Sequence, residues 1–160
     1  MLRDPALIPL SHQHQHALAL CVRIDRALRS GDTDLAALQA EVARLFEQEI
    51  RYHFDAEERV LFPAAENLPD LREIVQELSR EHVVLRAAAA RAVQGQMTRS
   101  DLEAFVSQLS EHIRREERQL FEGMQKHLSP EELVRLGAAV DADFGASGLP
   151  GASCEIGPRR

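Results

Sequence analysis

Apolar side chains recur every three or four residues through most of this chain, which is the spacing of one face of an α-helix. Turn and capping residues divide this pattern into segments. Ser11, Ser100 and Ser129 are expected as helix N-caps, and Gly31 and Gly95 as helix stops. The sequence therefore predicts five helices, covering about residues 11–30, 35–65, 69–94, 100–127 and 130–143.

Polar residues interrupt the apolar face of the second predicted helix. This face runs through Phe46, Ile50, His53, Glu57 and Val60, so a histidine and a glutamate four positions apart point towards the core. An isolated pair of this kind is more often exposed on a solvated helix, because buried glutamates are rare. A second pair in the same setting would favour burial of both.

The fourth predicted helix supplies that second pair. His112 and Glu116 follow an apolar stripe and precede Leu120, again four positions apart and facing inward. The first and third helices each carry one histidine in their apolar face, His14 and His82. Six ionisable side chains from four helices are therefore predicted to face the core.

Helices joined by short connections favour an up-down-up-down antiparallel four-helix bundle, and the chain is predicted to be all-α. Residues 1–144 are assigned to this bundle, with a short fifth helix, and residues 145–160 to an irregular, flexible C-terminal tail rich in Gly, Ser and Pro. Turns at about residues 32, 67 and 97 bring the six polar residues to nearly one depth, because each helical residue rises only about 1.5 Å.

Four imidazoles and two carboxylates in an apolar core are very unfavourable unless a cation binds them. Such a set suits a pair of first-row transition ions, iron foremost. A single zinc ion prefers four ligands and would leave the others unused. The alternatives are a hydrogen-bonded His/Glu network without metal, and a metal-free interaction bundle whose polar groups face solvent.

Charge and composition exclude several other functions. The net charge of -7, with Arg interleaved with Glu, leaves no basic patch for nucleic acid. No apolar run approaches the about 20 residues of a membrane span and no signal peptide is recognisable, so we expect a soluble cytoplasmic protein. Two cysteines, Cys21 on a core face and Cys154 in the tail, make no disulfide framework.

The chain resembles the hemerythrin-like family, also called the HHE cation-binding domain, over roughly residues 8–140. Four motifs carry the resemblance: Leu-Ser-His-Gln-His at 10–14, His-Phe-Asp-Ala-Glu-Glu at 53–58 followed by Leu-Phe-Pro, Glu-His at 81–82, and His-Ile-Arg-Arg-Glu-Glu at 112–117 followed by Leu-Phe. The resemblance implies an oxo- or hydroxo-bridged non-haem di-iron centre, in which the two glutamates bridge two iron ions and the four histidines cap them.

Two positions differ from the oxygen-carrying hemerythrins. Arg86 stands where those proteins have a second histidine in the third helix, and Glu116 follows His112 by four positions where they use an aspartate at five. Each iron therefore keeps about one open position. The candidates for an extra ligand, or for a hydrogen-bond partner of an imidazole, are Glu49, Tyr52 and His16.

Two functions fit so open a site. The first is a binding protein that takes up O₂ or NO for sensing, storage or scavenging. The second is a di-iron enzyme that acts on NO, peroxide or ferrous iron. The sequence does not separate them, because no general acid or base stands out beyond the ligands themselves.

Overall fold

A computed structural model describes residues 2–31 and 34–147. Those residues form helices and the turns that join them, without a strand among them, so the fold is all-α. The α-helices are α1 (Ile8–Ser30), α2 (Leu35–Leu45), α3 (Arg51–Ala56), α4 (Phe62–Glu66), α5 (Arg72–Val93), α6 (Arg99–Arg115), α7 (Glu122–His127) and α8 (Pro130–Ala146).

Three π-helical segments join some of these helices end to end. Phe46–Ile50 lies between α2 and α3, Glu57–Leu61 between α3 and α4, and Glu116–Phe121 between α6 and α7. The flanking backbone stays right-handed helical at each junction. We therefore refer to four continuous rods: rod 1 (α1), rod 2 (α2 to α4), rod 3 (α5) and rod 4 (α6 and α7).

The four rods form a closed ring of neighbours, because α1 packs against α2 and α6, and α5 packs against the same two helices. The last helix, α8, lies outside this ring, against rod 2 and a 3-10 turn at Pro5–Leu7. A Cβ on Gly137 would lie 2.9 Å from Ala6 Cβ, so α8 and the turn are in close contact. No helix among the described residues is long and apolar enough to cross a membrane.

Several predicted helix ends are confirmed. Gly31 and Gly95 follow α1 and α5 with φ values of 85° and 67°, which side chains other than glycine rarely adopt. Ser129 caps α8 in a capping box with Glu132. The fifth predicted helix reaches Ala146 rather than about residue 143, and the predicted tail from residue 148 onward, with Cys154, lies outside the described residues.

Two predicted N-caps are wrong. The first helix begins at Ile8, after a turn capped by Asp4, so Ser11 lies inside it. Thr98 rather than Ser100 caps α6. The earlier start at Thr98 lets the Asp101 carboxylate complete a capping box and also accept hydrogen bonds from Arg91 of rod 3.

The interior consists of two apolar clusters with a polar layer between them. Along α1, Leu10 belongs to one cluster and Ala17 to the other, with His14 between them, and His82 has the same setting along α5. Cys21 is buried as a free thiol in the cluster that contains Ala17, as predicted. The rods thus bring their inward polar residues to one depth.

Candidate metal centre

The structure brings together all six polar residues that the sequence predicts to face the core: His14, His53, Glu57, His82, His112 and Glu116. They form two groups of four that share both glutamates. We call the group with His14 and His53 the His14 half, and the group with His82 and His112 the His82 half. Within each half, the potential ligand atoms lie within 4.8 Å of one another.

The imidazoles turn their Nε2 atoms towards the middle of the layer. In the His14 half, the Nε2 atoms of His14 and His53 are 2.9 Å apart, and that of His53 lies 3.2 Å from Glu57 Oε1. In the His82 half, the two Nε2 atoms are 3.2 Å apart, and one lies 3.0 Å from Glu116 Oε1. Nitrogen and oxygen donors therefore converge on a common centre in each half.

The shared glutamates are buried without hydrogen-bond partners. None of their four carboxylate oxygens accepts a hydrogen bond of standard geometry from the described residues, although imidazole Nε2 atoms lie 3.0 to 3.8 Å from them. A buried carboxylate is costly unless cations or hydrogen-bond donors compensate for its lost hydration. Imidazole nitrogens with carboxylate oxygens are donors that suit iron and other first-row ions, so these residues fit a metal centre.

Each imidazole donates a hydrogen bond from Nδ1 to an acceptor on a neighbouring rod. The pairs are His14 with Glu117 (2.7 Å), His53 with Gln13 (2.8 Å), His82 with Glu58 (2.8 Å) and His112 with Glu81 (2.8 Å). The pairing is cyclic: rod 1 supplies the acceptor for rod 2, rod 2 for rod 3, rod 3 for rod 4 and rod 4 for rod 1. Such bonds fix the tautomer that leaves Nε2 free to bind metal.

The surrounding glutamates raise the pKa of three imidazoles. Burial by itself lowers the pKa of His14, but the neighbouring carboxylates of Glu116 and Glu117 outweigh burial and raise it to about 9. Burial likewise lowers the pKa values of His82 and His112, but the carboxylates beside them outweigh it and raise the pKa of His82 to about 10 and that of His112 to about 9. Without metal, the layer therefore retains protons that a bound cation would replace.

The shared glutamates respond in the opposite direction. Burial, together with the charge of Glu116, raises the pKa of Glu57, but the histidines around it outweigh both and leave the pKa below its usual value. Burial is likewise outweighed at Glu116, chiefly by His112, and its pKa is well below the usual value. Both carboxylates are therefore anionic at neutral pH.

Aromatic rings stack on both halves of the layer, Phe121 on His14 with ring centroids 5.5 Å apart and Phe54 on His82, and a small cavity borders one half. Phe54 stacks on His82 with ring centroids 3.7 Å apart and covers that half of the site. A cavity of about 10 Å³, which is roughly the space of one water-sized molecule, borders the His14 half. Its lining is mostly apolar: Ala17, Leu45, Ile50, Phe54, Leu109 and Ile113, with Gln13, Glu49 and three site residues.

The three candidates for an extra ligand lie outside both halves. Glu49 and His16 form a partly exposed ion pair with a 2.9 Å contact, although Glu49 also lines the cavity. The Tyr52 hydroxyl accepts a hydrogen bond from Arg51 at 2.8 Å. None of the three accepts the Nδ1–H of a buried imidazole, so the role suggested for Glu49 belongs to other residues.

The residues that accept the Nδ1–H bonds could have been recognised in the sequence by their position next to a site residue, although helical periodicity does not identify them. Each stands directly beside a site residue, in the dipeptides Gln13-His14, Glu57-Glu58, Glu81-His82 and Glu116-Glu117. One member of each pair faces the layer, and the other reaches sideways to the next rod. Neighbouring polar residues at four motifs in a row could have identified them.

The two shared glutamates each begin a π-helical segment, Glu57–Leu61 and Glu116–Phe121. A π turn contains one more residue than an α turn, and such segments are frequent at functional sites. The shift in register also corrects one predicted core position, because Leu61 is fully buried whereas Val60 is only partly buried.

An all-α fold with a buried layer of histidines and glutamates, which fits metal ions in two adjoining groups, defines a cation-binding helical protein. The sequence model of one family, described as the Hemerythrin HHE cation binding domain, matches residues 9–134. The chain belongs to this family, as the resemblance predicted. Comparisons with curated proteins and with solved structures gave no significant match.

Proposed function

We propose that this chain is a non-haem di-iron protein that binds O₂ or NO at the buried His/Glu layer, for sensing, storage or scavenging. The observation that carries the proposal is the sharing of Glu57 and Glu116 between two donor groups. Two carboxylates, whose four oxygens accept no hydrogen bond from the described residues, match two cations better than one. The family match supports iron as the cation.

The residues of the layer divide the work of holding such a centre. The four imidazole Nε2 atoms would bind the ions terminally, and the two glutamates would bridge them. Bound iron would supply the redox-linked binding of the diatomic ligand. The Nδ1 acceptors orient the rings, and the apolar cavity beside the His14 half offers space for a small neutral ligand while excluding bulk water.

An antiparallel up-down-up-down order of the rods is part of the proposal. The end of rod 1 meets the start of rod 4, where Arg99 donates to the Leu28 carbonyl at 2.6 Å, and Arg3 at the other end contacts Glu117. This pairing of early with late positions supports opposite directions for the two rods.

Iron analysis tests the number of ions. Anaerobic reconstitution with ferrous iron, followed by removal of free metal, should leave about two ions per chain. A value near one would contradict the dinuclear proposal. The visible absorption spectrum of a chain loaded with a single ion would then be compared with that of the fully loaded chain, because a single ion would not share Glu57 and Glu116 with a second one.

Stopped-flow mixing tests the ligand. The reduced, loaded protein is mixed with O₂, NO or H₂O₂ in separate experiments and followed by absorbance. A stable adduct that disappears when the gas is removed supports the binding function. Repeated consumption of NO, peroxide or ferrous iron in the presence of a reductant would instead support the enzyme.

A further inference from the structure

The four acceptors that orient the imidazoles are not chemically equal. Three are carboxylates, Glu58, Glu81 and Glu117, and the fourth is the neutral amide oxygen of Gln13. We propose that Gln13 is a positioning residue that makes the two halves unequal, so that the His82 half binds metal more tightly than the His14 half. The inference rests on the proposed dinuclear site.

Each of the three carboxylates is itself held by an arginine. Arg3 contacts Glu117 and also donates to its backbone carbonyl at 2.9 Å. Arg86 donates to Glu58 at 3.1 Å. The third contact joins Arg115 to Glu81. These contacts fix the positions of the three acceptors.

The same arrangement distributes the charge unevenly. Both imidazoles of the His82 half donate to anions, through Glu58 and Glu81. In the His14 half, one imidazole donates to an anion, whereas His53 donates to the amide of Gln13 at 2.8 Å. The halves therefore differ by one carboxylate among the groups that accept directly from an imidazole Nδ1–H.

That charge acts on the metal through the ring. A hydrogen bond to an ionised acceptor is about twice as strong as one to a neutral acceptor. It withdraws the Nδ1 proton and makes Nε2 a stronger donor, and removing such a partner typically lowers metal affinity about 10- to 100-fold. The His82 half should therefore fill first and should stabilise the ferric ion more than the His14 half does.

The weaker half is also the one that borders the cavity. His14 and His53 line the cavity and His82 and His112 do not, while Phe54, which stacks on His82, forms part of its wall. An ion with a poorer donor set and open space beside it is the better Lewis acid for an added ligand. Gln13 lines this cavity as well, so it connects the accessible side with the weaker donor set.

Two substitutions test the inference from opposite directions. Gln13→Glu supplies the missing carboxylate to His53, and Glu81→Gln removes one from the His82 half. Gln15→Glu adds the same charge to an exposed position two residues away and serves as the control. All variants are first checked for native helix content by circular dichroism.

The first measurement is anaerobic calorimetric titration of the full chain with Co²⁺, which is not oxidised during the experiment. The wild type should bind two ions in two resolved steps that differ about 10-fold or more. Gln13→Glu should strengthen the weaker step about 10-fold, Glu81→Gln should weaken the tighter step by a similar factor, and Gln15→Glu should leave both within about 2-fold.

The second measurement is a potentiometric titration of the iron-loaded chain, because a merely structural role would not shift a potential selectively. A 10-fold change in ferric preference corresponds to about 59 mV for one electron. Glu81→Gln should raise the lower of the two potentials, and Gln13→Glu should lower the higher one.

The outcomes separate this inference from the function it rests on. If the wild type binds two ions with equal affinity, or if the Co²⁺ affinities of Gln13→Glu match those of Gln15→Glu, the inference is overturned and the dinuclear site stays intact. A wild type that binds fewer than two ions would overturn the proposed function, and the inference with it.

Discussion

Loading the metal-free chain with metal at pH 7 should release protons, and their number follows from the site. The pKa values of His14, His82 and His112 are about 9, 10 and 9. Taken one ring at a time, such values favour the protonated imidazole at pH 7, and the contacts between the rings decide how many protons the layer holds. A metal ion that binds at Nε2 must displace the proton carried there.

The geometry limits the release to about one proton for each half. The Nε2 atoms of His82 and His112 are 3.2 Å apart, so two N–H groups cannot point at each other across that distance, and the pair shares one proton. In the other half, the Nε2 atoms of His14 and His53 are 2.9 Å apart, so the same limit of one proton between them holds. The glutamates add none, because their pKa values are already low. Two ions should therefore displace about two protons per chain.

Calorimetric titration with Co²⁺ in buffers of different ionisation enthalpy measures this number directly. The product of the two apparent binding constants should also rise about 100-fold per pH unit between about pH 6 and 8, because each displaced proton contributes a factor of about ten. Metal should correspondingly leave on acidification. His12→Ala removes an exposed imidazole and should change neither result.

A release near zero, with affinity independent of pH, would refute this reasoning. It would mean that the buried imidazoles are neutral in the metal-free chain despite their contacts with Glu57 and Glu116. A release near three would show that the halves reorganise when metal leaves, so that His82 and His112 separate and each takes a proton.

Three further predictions concern stability and metal content. Glu57→Ala and His112→Ala should lose most bound iron, whereas His12→Ala should lose little, as measured by metal analysis after desalting; similar losses from all three would contradict the ligand assignment. In urea titrations at several pH values, the metal-free chain should be most stable between about pH 4.5 and 6.5. The raised imidazole pKa values contribute stability that is fully present below the ordinary pKa of 6.5 and is lost as pH rises through about 9. The lowered glutamate pKa values contribute stability that is present above the ordinary pKa of 4.5 and is lost as pH falls. Gly137→Ala should destabilise by about 1–3 kcal/mol because the new Cβ meets Ala6, whereas Gly145→Ala, with open space around it, should be neutral or stabilising in thermal melts.

The ligand-bearing positions could be predicted because they are a local property of each helix. A histidine and a glutamate four residues apart share one face, and the apolar neighbours of His53 and His112 show which face turns inward. Helical rise then makes depth calculable from chain length alone. Neither step requires knowledge of how one helix is rotated against another.

Other features depended on that rotation. Gln13, Glu58, Glu81 and Glu117 lie off the main inward stripe, and they become acceptors only because the next rod brings an imidazole within 2.7 to 2.8 Å. Glu49 stands four positions before His53 on the same rod, but its carboxylate contacts His16 rather than a buried imidazole.

The sequence by itself therefore determined the helical class, the depth of the polar layer and the six residues that meet in it, because these follow from periodicity along one helix at a time. Only the tertiary structure decided which acceptor orients which histidine and which half borders the cavity. The physical reason is that these features arise from contacts between rods, and a short-range hydrogen bond depends on rotations of the rods that the pattern along a single helix does not encode.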